Sequence, residues 1–190
     1  MQWEGPKFKS LLAPEDCAIV LIRCSTGDLA AAGPLLQASE TYDVPAIVVM
    51  TDGAVCSLSA VPAFACSGLN PLSDAYVRRA LVAFRRPRLL IGGGLAETVL
   101  SFAVLSALEE GYDVHLLRDL VSGISDSLVE VAADRMVQAS AVPVSVPQVV
   151  AEWQCVTQGR QTDTSAAVAG VGPAGGEEIC LRVLEGGPVP

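Results

Sequence analysis

Apolar and polar positions along this chain divide it into two kinds of segment. Four short runs are continuously apolar, which is typical of parallel strands buried on both faces. They lie at residues 17–22, 46–50, 89–91 and 114–117. The segments between them have helical character, and a regular alternation of strands and helices implies right-handed crossovers. The pattern therefore predicts a three-layer α/β domain with a doubly wound parallel sheet.

Residues that favour helix ends mark the helices. They are hydroxyl or carboxyl N-caps, a glycine that ends a helix, and a proline in a first turn. The predicted helices cover residues 74–84 with Ser73 as N-cap, 97–110 ended by Gly111, 126 to about 140, and a short helix from Pro147 through Trp153.

The composition changes near residue 158. Residues 158–176 are rich in Gly, Ala, Thr and Ser and show no helical or strand period, which predicts a linker or arm. Residues 177–184 alternate in a way that fits an edge strand, an arm on a neighbouring subunit, or a frayed terminus. We therefore expect an α/β domain over 1–157 and a Gly/Ala-rich linker with a C-terminal arm over 158–190.

Charge argues against nucleic acid and membranes as partners. The 190 residues include 12 Lys and Arg against 21 Asp and Glu, a formal net charge of −9. Nucleic acid and anionic lipid both need clustered basic residues. No apolar run reaches the roughly 18 residues of a membrane span, and the first residues lack the pattern of a signal peptide. The expectation is one cytoplasmic domain whose partners are small molecules or proteins.

Cysteine and histidine counts exclude several kinds of site. The six cysteines contain no CxxC pair, which favours reduced thiols. His115 is the only histidine and lies in a predicted strand, so a Ser-His-Asp triad and a multi-histidine metal site are excluded. The run Gly92-Gly93-Gly94 does not satisfy GxGxxG, and a tight strand-to-helix turn is its simpler interpretation. Neither a metal nor a cofactor is predicted.

The carboxyl ends of the strands are where a doubly wound sheet binds its ligand. That rule selects Arg23 and Cys24 after the first strand, and Asp119 after the strand at 114–117. It also selects Gly94, because the helix that follows begins with N–H groups that can hold an anion.

Several segments resemble the isochorismatase-like cysteine hydrolases, and most closely their bacterial octamer-forming branch. The resemblance covers most of residues 16–153. It rests on residues 94–102, 105–114, 118–119, 134–139 and 141–144, with weaker matches at 16–26 and 61–73. It implies a six-stranded parallel sheet of order 3-2-1-4-5-6 and assembly into a homo-oligomer.

The family's hydrolysis needs three groups that this chain lacks. They are an Asp base, a Lys or Arg, and a Cys nucleophile that follows a G-[VI]-x-T-[ED]-x-C motif. By the resemblance, these positions fall on Arg23, Cys66 and Leu100. A permanent cation cannot act as the base, and a leucine cannot form an acyl intermediate. The usual cysteine-hydrolase reaction is therefore not expected.

Two functions remain. In the first, the pocket is reused for a small anionic or enolisable substrate, and Arg23 binds its carboxylate or enolate oxygen. A neighbouring group transfers a proton, the candidates being Cys66, Glu97 and Asp119. The protein would then be an isomerase, cyclase or lyase, for example in specialised biosynthesis. In the second, it is a non-catalytic pseudoenzyme that binds a ligand or acts as a scaffold subunit.

Three of these candidates also have a structural interpretation. Arg23 could form a salt bridge with Asp52, Glu97 or Asp119, Cys66 could be a buried small side chain, and Glu97 could favour the helix dipole. The residues expected to line the pocket besides Arg23 are Cys24, Asn70, Gly94, Leu95 and Leu100.

Self-association is expected from surface chemistry as well. Residues 100–108 are apolar around much of a helix circumference, more than one solvated face would carry. Together with Trp153 and residues 177–184, they predict a homo-oligomer.

Overall fold

Six parallel strands form one sheet in the computed structural model of the chain, which describes residues 11–23, 30–51 and 61–168. The strands are β1 (Cys17–Arg23), β2 (Ala46–Met50), β3 (Ala63–Ala65), β4 (Arg88–Gly93), β5 (Asp113–Leu117) and β6 (Val142–Val144). Their order across the sheet is β3-β2-β1-β4-β5-β6, which confirms the predicted topology.

Helices cover both faces of the sheet. The helices of the described residues are α1 (Gly33–Tyr42), α2 (Ala75–Phe84), α3 (Ser101–Glu109), α4 (Asp126–Gln138) and α5 (Val146–Val168). Even-numbered side chains of β1 pack into a core shared with α2, α3 and α4, whereas its odd-numbered side chains pack into a core shared with α1 and α5. All residues of 17–22 are fully buried, as a central parallel strand requires. None of the described helices is long and apolar enough to cross a membrane.

Two helices differ slightly from their predicted bounds. Asp74, and not Ser73, caps α2, because its carboxylate accepts the N–H groups of Tyr76 and Val77. Helix α4 ends at Gln138 and not near 140, since Ser140 has a φ of 87° that does not continue a helix.

Helix α5 is much longer than predicted. It was expected to end at Trp153 and to be followed by a linker from residue 158, but its backbone stays helical to Val168. Trp153 is fully buried, and Arg160 forms a salt bridge with Glu15, so tertiary contacts hold the helix past the expected end. The boundary predicted at 157 therefore falls inside a helix. The predicted arm at 177–184 lies outside the described residues.

The apolar circumference predicted to mediate self-association is mostly core. Leu100, Ala103, Val104 and Ala107 are buried within the chain, and Phe102 remains 38% exposed. Trp153 is 0% exposed and is a packing residue. The sequence argument for an interface on this segment therefore rests on Phe102, with half-buried Leu105 and Leu108.

Candidate functional site

The carboxyl ends of three adjacent strands lie side by side at one edge of the sheet. The carbonyl of Arg23, at the end of β1, accepts the N–H of Thr51 at 3.1 Å, and the N–H of Cys66 donates to the carbonyl of Met50 at 2.7 Å. Since neighbouring strands are about 4.8 Å apart, the backbones of Arg23 and Cys66 are roughly 10 Å apart. The carboxyl ends of these strands therefore lie together, as predicted, and Arg23 and Cys66 are at the same end of the sheet.

Arg23 is a half-buried cation at the end of the central strand. No salt bridge or side-chain hydrogen bond joins it to another residue of the described ranges. The structural interpretation that pairs it with Glu97 or Asp119 is therefore not what the structure shows. Asp52 and Cys24, which were also proposed near it, lie outside those ranges.

Strand alternation separates the side chains of Arg23 and Cys66. Side chains two residues apart in a strand point to the same face, so Arg23 lies on the same face as Ile19 and Leu21, which pack against α1 and α5. Cys66 is 5% exposed and belongs to the opposite core, together with Leu100. The two groups thus share an edge of the sheet without sharing a face.

Asn70 has a structural role. Its Nδ2 donates to Ser106 Oγ of α3 at 2.7 Å, and its Oδ1 accepts the N–H of Leu72 at 3.1 Å. Both ends of the amide are therefore used to fasten the loop after β3 to α3.

The glycine run after β4 is required by packing. Gly93 and Gly94 have φ angles of 83° and 71°, which favour glycine. A Cβ on Gly93 would lie 2.2 Å from the carbonyl oxygen of Ile22. The carbonyl of Gly94 accepts the hydroxyl of Ser122 at 2.7 Å. The interpretation as a tight strand-to-helix turn therefore accounts for these residues.

A π-helical turn, Ala96–Leu100, leads into α3, so the predicted helix starts at Ala96 and ends at Glu109. In that turn the N–H of Leu100 donates to the carbonyl of Leu95 at 3.1 Å. The N–H of Ala96 donates to the carbonyl of Ser122 at 2.8 Å. This first-turn donor is thus engaged with backbone and is not open to an anion.

The residues to which the resemblance assigns the nucleophile position are apolar and buried. Counting the motif from Gly94 gives the predicted cysteine position at Leu100, whereas counting from Glu97 as its acidic residue gives Val99. Val99 is 6% exposed and Leu100 is 0% exposed. Neither side chain carries a heteroatom, and Leu100 cannot line a pocket as predicted. Leu95, by contrast, is half-buried.

Glu97 holds the loop between β5 and α4. Its Oε1 accepts the N–H of Ile124 at 2.9 Å, and its Oε2 is buried without a hydrogen-bond partner among the described residues. Sequence reasoning missed Gly123, where a Cβ would lie 2.5 Å from Glu97 Oε1 and 2.4 Å from Val129 Cγ2. A larger residue at 123 would have to displace the side chains of Glu97 and Val129.

Asp119 is engaged with the last helix. Both of its carboxylate oxygens accept the N–H of Val146, the first residue of α5. The structure therefore gives Asp119 and Glu97 contacts with backbone N–H groups, and the thiol of Cys66 donates to the carbonyl of Gly68 at 3.9 Å. Of the four residues predicted to act in catalysis, Arg23 alone has no side-chain hydrogen bond or salt bridge within the described ranges.

Comparisons with known proteins find solved structures that have this fold. No family sequence model matches the chain, and no curated protein matches it. The structure of YcaC from Pseudomonas aeruginosa with hexane-2,5-diol and covalent acrylamide is 21% identical, with a TM-score of 0.70 over 84% of this chain and 91% of that one. YcaC from Escherichia coli, an octameric hydrolase of unknown specificity, is 21% identical, with a TM-score of 0.67 over 84% and 97%.

A third solved structure extends the likeness beyond YcaC. An isochorismatase family protein from Burkholderia thailandensis is 14% identical, with a TM-score of 0.65 over 77% of this chain and 100% of that one. The chain therefore has the isochorismatase-like hydrolase fold. At these identities the likeness is one of fold, and the activity has to be argued from the site.

Proposed function

We propose that this protein binds a small anionic or enolisable molecule at the carboxyl edge of the sheet and does not perform the cysteine-hydrolase reaction. The observation that carries the proposal is Arg23, a half-buried guanidinium without a carboxylate partner in the described ranges. A cation removed from water is costly unless it meets an anion. The planar fork of arginine fits a carboxylate or an enolate.

The reaction class that fits these groups is isomerisation, cyclisation or elimination by proton transfer. Arg23 would stabilise negative charge as it develops on an oxygen of the substrate. Asp119 and one oxygen of Glu97 already hold backbone N–H groups, so they are poor candidates for the proton. The second oxygen of Glu97 is buried, so Cys66 is the group that remains. Its side chain lies on the other face of the sheet from Arg23, so the substrate would have to reach across the carboxyl ends of β1 to β3.

Titration calorimetry with small carboxylates and enolisable 2-oxo acids tests the binding. Arg23→Met should weaken binding at least tenfold, because it removes the charge and keeps much of the side-chain volume. Arg86→Met is the matched control, since Arg86 is also half-buried but precedes β4 at the opposite edge of the sheet. Binding that survives Arg23→Met, or that is lost equally in both variants, would contradict the proposal.

A non-catalytic subunit is the second candidate. The contacts of Glu97 and Asp119 with backbone favour it, as does the apolar pair Val99 and Leu100. Solvent deuterium exchange at the carbon next to the carbonyl of a bound 2-oxo acid, followed by NMR, separates the two functions. Exchange that depends on Arg23 supports proton transfer, whereas binding without exchange supports a pseudoenzyme.

We further propose that the protein forms a homo-oligomer. The fold match to an octameric hydrolase supports this proposal, and so does the exposure of Phe102 on α3. Light scattering that gives a 19.7 kDa monomer at micromolar concentration would contradict it.

A further inference from the structure

The outer face of the helical layer formed by α2, α3 and α4 carries an apolar patch, defined here as Phe102, Ile124, Leu128 and Val131. Their exposed fractions are 38%, 79%, 44% and 68%. The last three are spaced i, i+4 and i+7, so they lie on one side of α4 and of the turn before it. An exposed stripe of this kind is more than the scattered apolar residues of an ordinary surface.

Opposite charges flank the patch. Helix α2 exposes Arg78 and Arg79, and α4 exposes Asp126, Glu130 and Asp134 with Arg135 as its one exposed cation. Arg78 reaches Glu110 at the end of α3, at 3.1 Å, so Arg79 is the arginine left to face outward.

Helix α3 lies between the two charged helices. It packs against α4, and successive right-handed crossovers from β3 to β6 place α2, α3 and α4 in that order. Across the layer the exposed charges are therefore basic on α2 and mainly acidic on α4, while α3 between them exposes Phe102 and Glu109. This arrangement is notable in a chain whose net charge is −9.

We propose that this face binds a second copy of the chain about a two-fold axis that runs parallel to the helices and lies in the interface. Such an axis sets α2 of one protomer opposite α4 of its partner, so that Arg79 meets Glu130 and Asp134. Phe102 then meets its own copy at the centre. An axis across the helices would oppose α2 to α2 and α4 to α4, which like charges disfavour. The inference rests on the proposed self-association and adds the face and the axis.

Charge reversal tests the face. Sedimentation velocity and light scattering should show wild-type dimers or larger assemblies of dimers. Arg79→Glu and the double variant Glu130→Arg with Asp134→Arg should each weaken association at least tenfold, because each places like charges opposite one another. Glu40→Arg is the matched control, since Glu40 is an exposed carboxylate on α1, at the other face of the sheet. Circular dichroism checks that each variant is folded.

The combined variant with all three reversals decides the axis. It exchanges the charges of the two helices and should recover association to near the wild-type level. A wild-type monomer would overturn both self-association and this interface. An oligomer whose size none of the reversals changes would overturn the interface and leave self-association in place. Weakening by both reversals without recovery in the combination would overturn the axis.

Discussion

The two carboxylate oxygens of Asp119 accept the backbone N–H of Val146 at 3.1 and 2.9 Å. Asp119 follows β5 and Val146 begins α5. The contact therefore joins the carboxyl end of β5 to the helix that packs with α1 on one face of the sheet. A carboxylate at a helix N-terminus satisfies a donor that the helix cannot, and it interacts favourably with the helix dipole. Asp119, which the sequence proposed as a catalytic acid, thus holds the N-terminus of α5 to the end of β5.

Removing this cap should destabilise the protein. Asp119→Ala should lower the free energy of unfolding by about 0.5–2 kcal/mol, the usual cost of losing an N-terminal cap. Urea denaturation followed by circular dichroism measures it, with Glu40→Ala on the exposed face of α1 as control. A variant of unchanged stability that fails to bind the ligands of wild type would instead return Asp119 to the functional site.

Two glycines should respond to alanine in opposite directions. Gly123→Ala should be strongly destabilising, because its Cβ would lie 2.5 Å from Glu97 Oε1 and 2.4 Å from Val129 Cγ2. Gly159→Ala should stabilise by up to about 1 kcal/mol, since Gly159 is inside α5 and its Cβ would meet nothing within 4 Å. Thermal unfolding of both variants gives the comparison. Equal effects would show that the loop after β5 can move away from Glu97.

The fold could be predicted because its signal is local. The run at 17–22 is apolar at every position, short and rich in β-branched residues, as a strand buried on both faces requires. The end of α5 could not be predicted in the same way. Residues after 158 have the composition of a linker, and contacts such as the salt bridge between Arg160 and Glu15 prolong the helix. A partner 145 residues away leaves no local signal.

The site was harder to predict for a related reason. Sequence position identified Glu97 and Asp119 as carboxylates near the strand ends, but each contacts a backbone N–H that lies 27 residues further along the chain. Which donor a carboxylate meets depends on the fold, so a catalytic and a structural acid look alike in sequence. Gly123 could not be recognised from the sequence either. The limit on side-chain size at this position comes from the neighbouring side chains of Glu97 and Val129 and not from the conformation of the loop.

Cys17 should make stability fall in alkaline solution. Burial raises the pKa of its thiol from 9.0 to about 11. Between these values the unfolded chain loses the thiol proton while the folded chain keeps it. The contribution of Cys17 to the free energy of unfolding is therefore complete below pH 9 and is lost as pH rises toward 11. The loss should be up to about 2–3 kcal/mol.

Comparison with Cys17→Ala isolates this effect. The pKa of Tyr112 is also raised, mainly by burial, but Tyr112 titrates in both proteins and cancels in the difference. The free energy of unfolding, measured by urea at pH 8 and pH 10.5, should fall less in the variant than in wild type. Parallel curves for the two proteins would show that the thiol does not titrate in this way.

Restoring a thiol at the nucleophile position should not restore hydrolysis. Val99→Cys and Leu100→Cys would place sulfur where the native side chains are 6% and 0% exposed. By the resemblance, Arg23 would still stand where a cysteine hydrolase has its base, and a nucleophilic thiol without its base is weak. Hydrolysis of a p-nitrophenyl ester and of simple amides should stay at the wild-type background in both variants.

Two triple variants separate the two possible cysteine positions. Both carry Arg23→Asp and Cys66→Lys; one adds Val99→Cys, and its matched partner adds Leu100→Cys. Acrylamide labelling with peptide mapping reports whether either new thiol is reachable, and exposed Cys155 serves as the internal positive control. If the Val99 register is correct, activity and labelling should rise together in the first triple variant alone, because only there would base, cation and thiol take the three family positions. Substantial hydrolysis by the unmodified protein would show that its chemistry does not need these positions, and the proposed loss of the hydrolase reaction would be wrong.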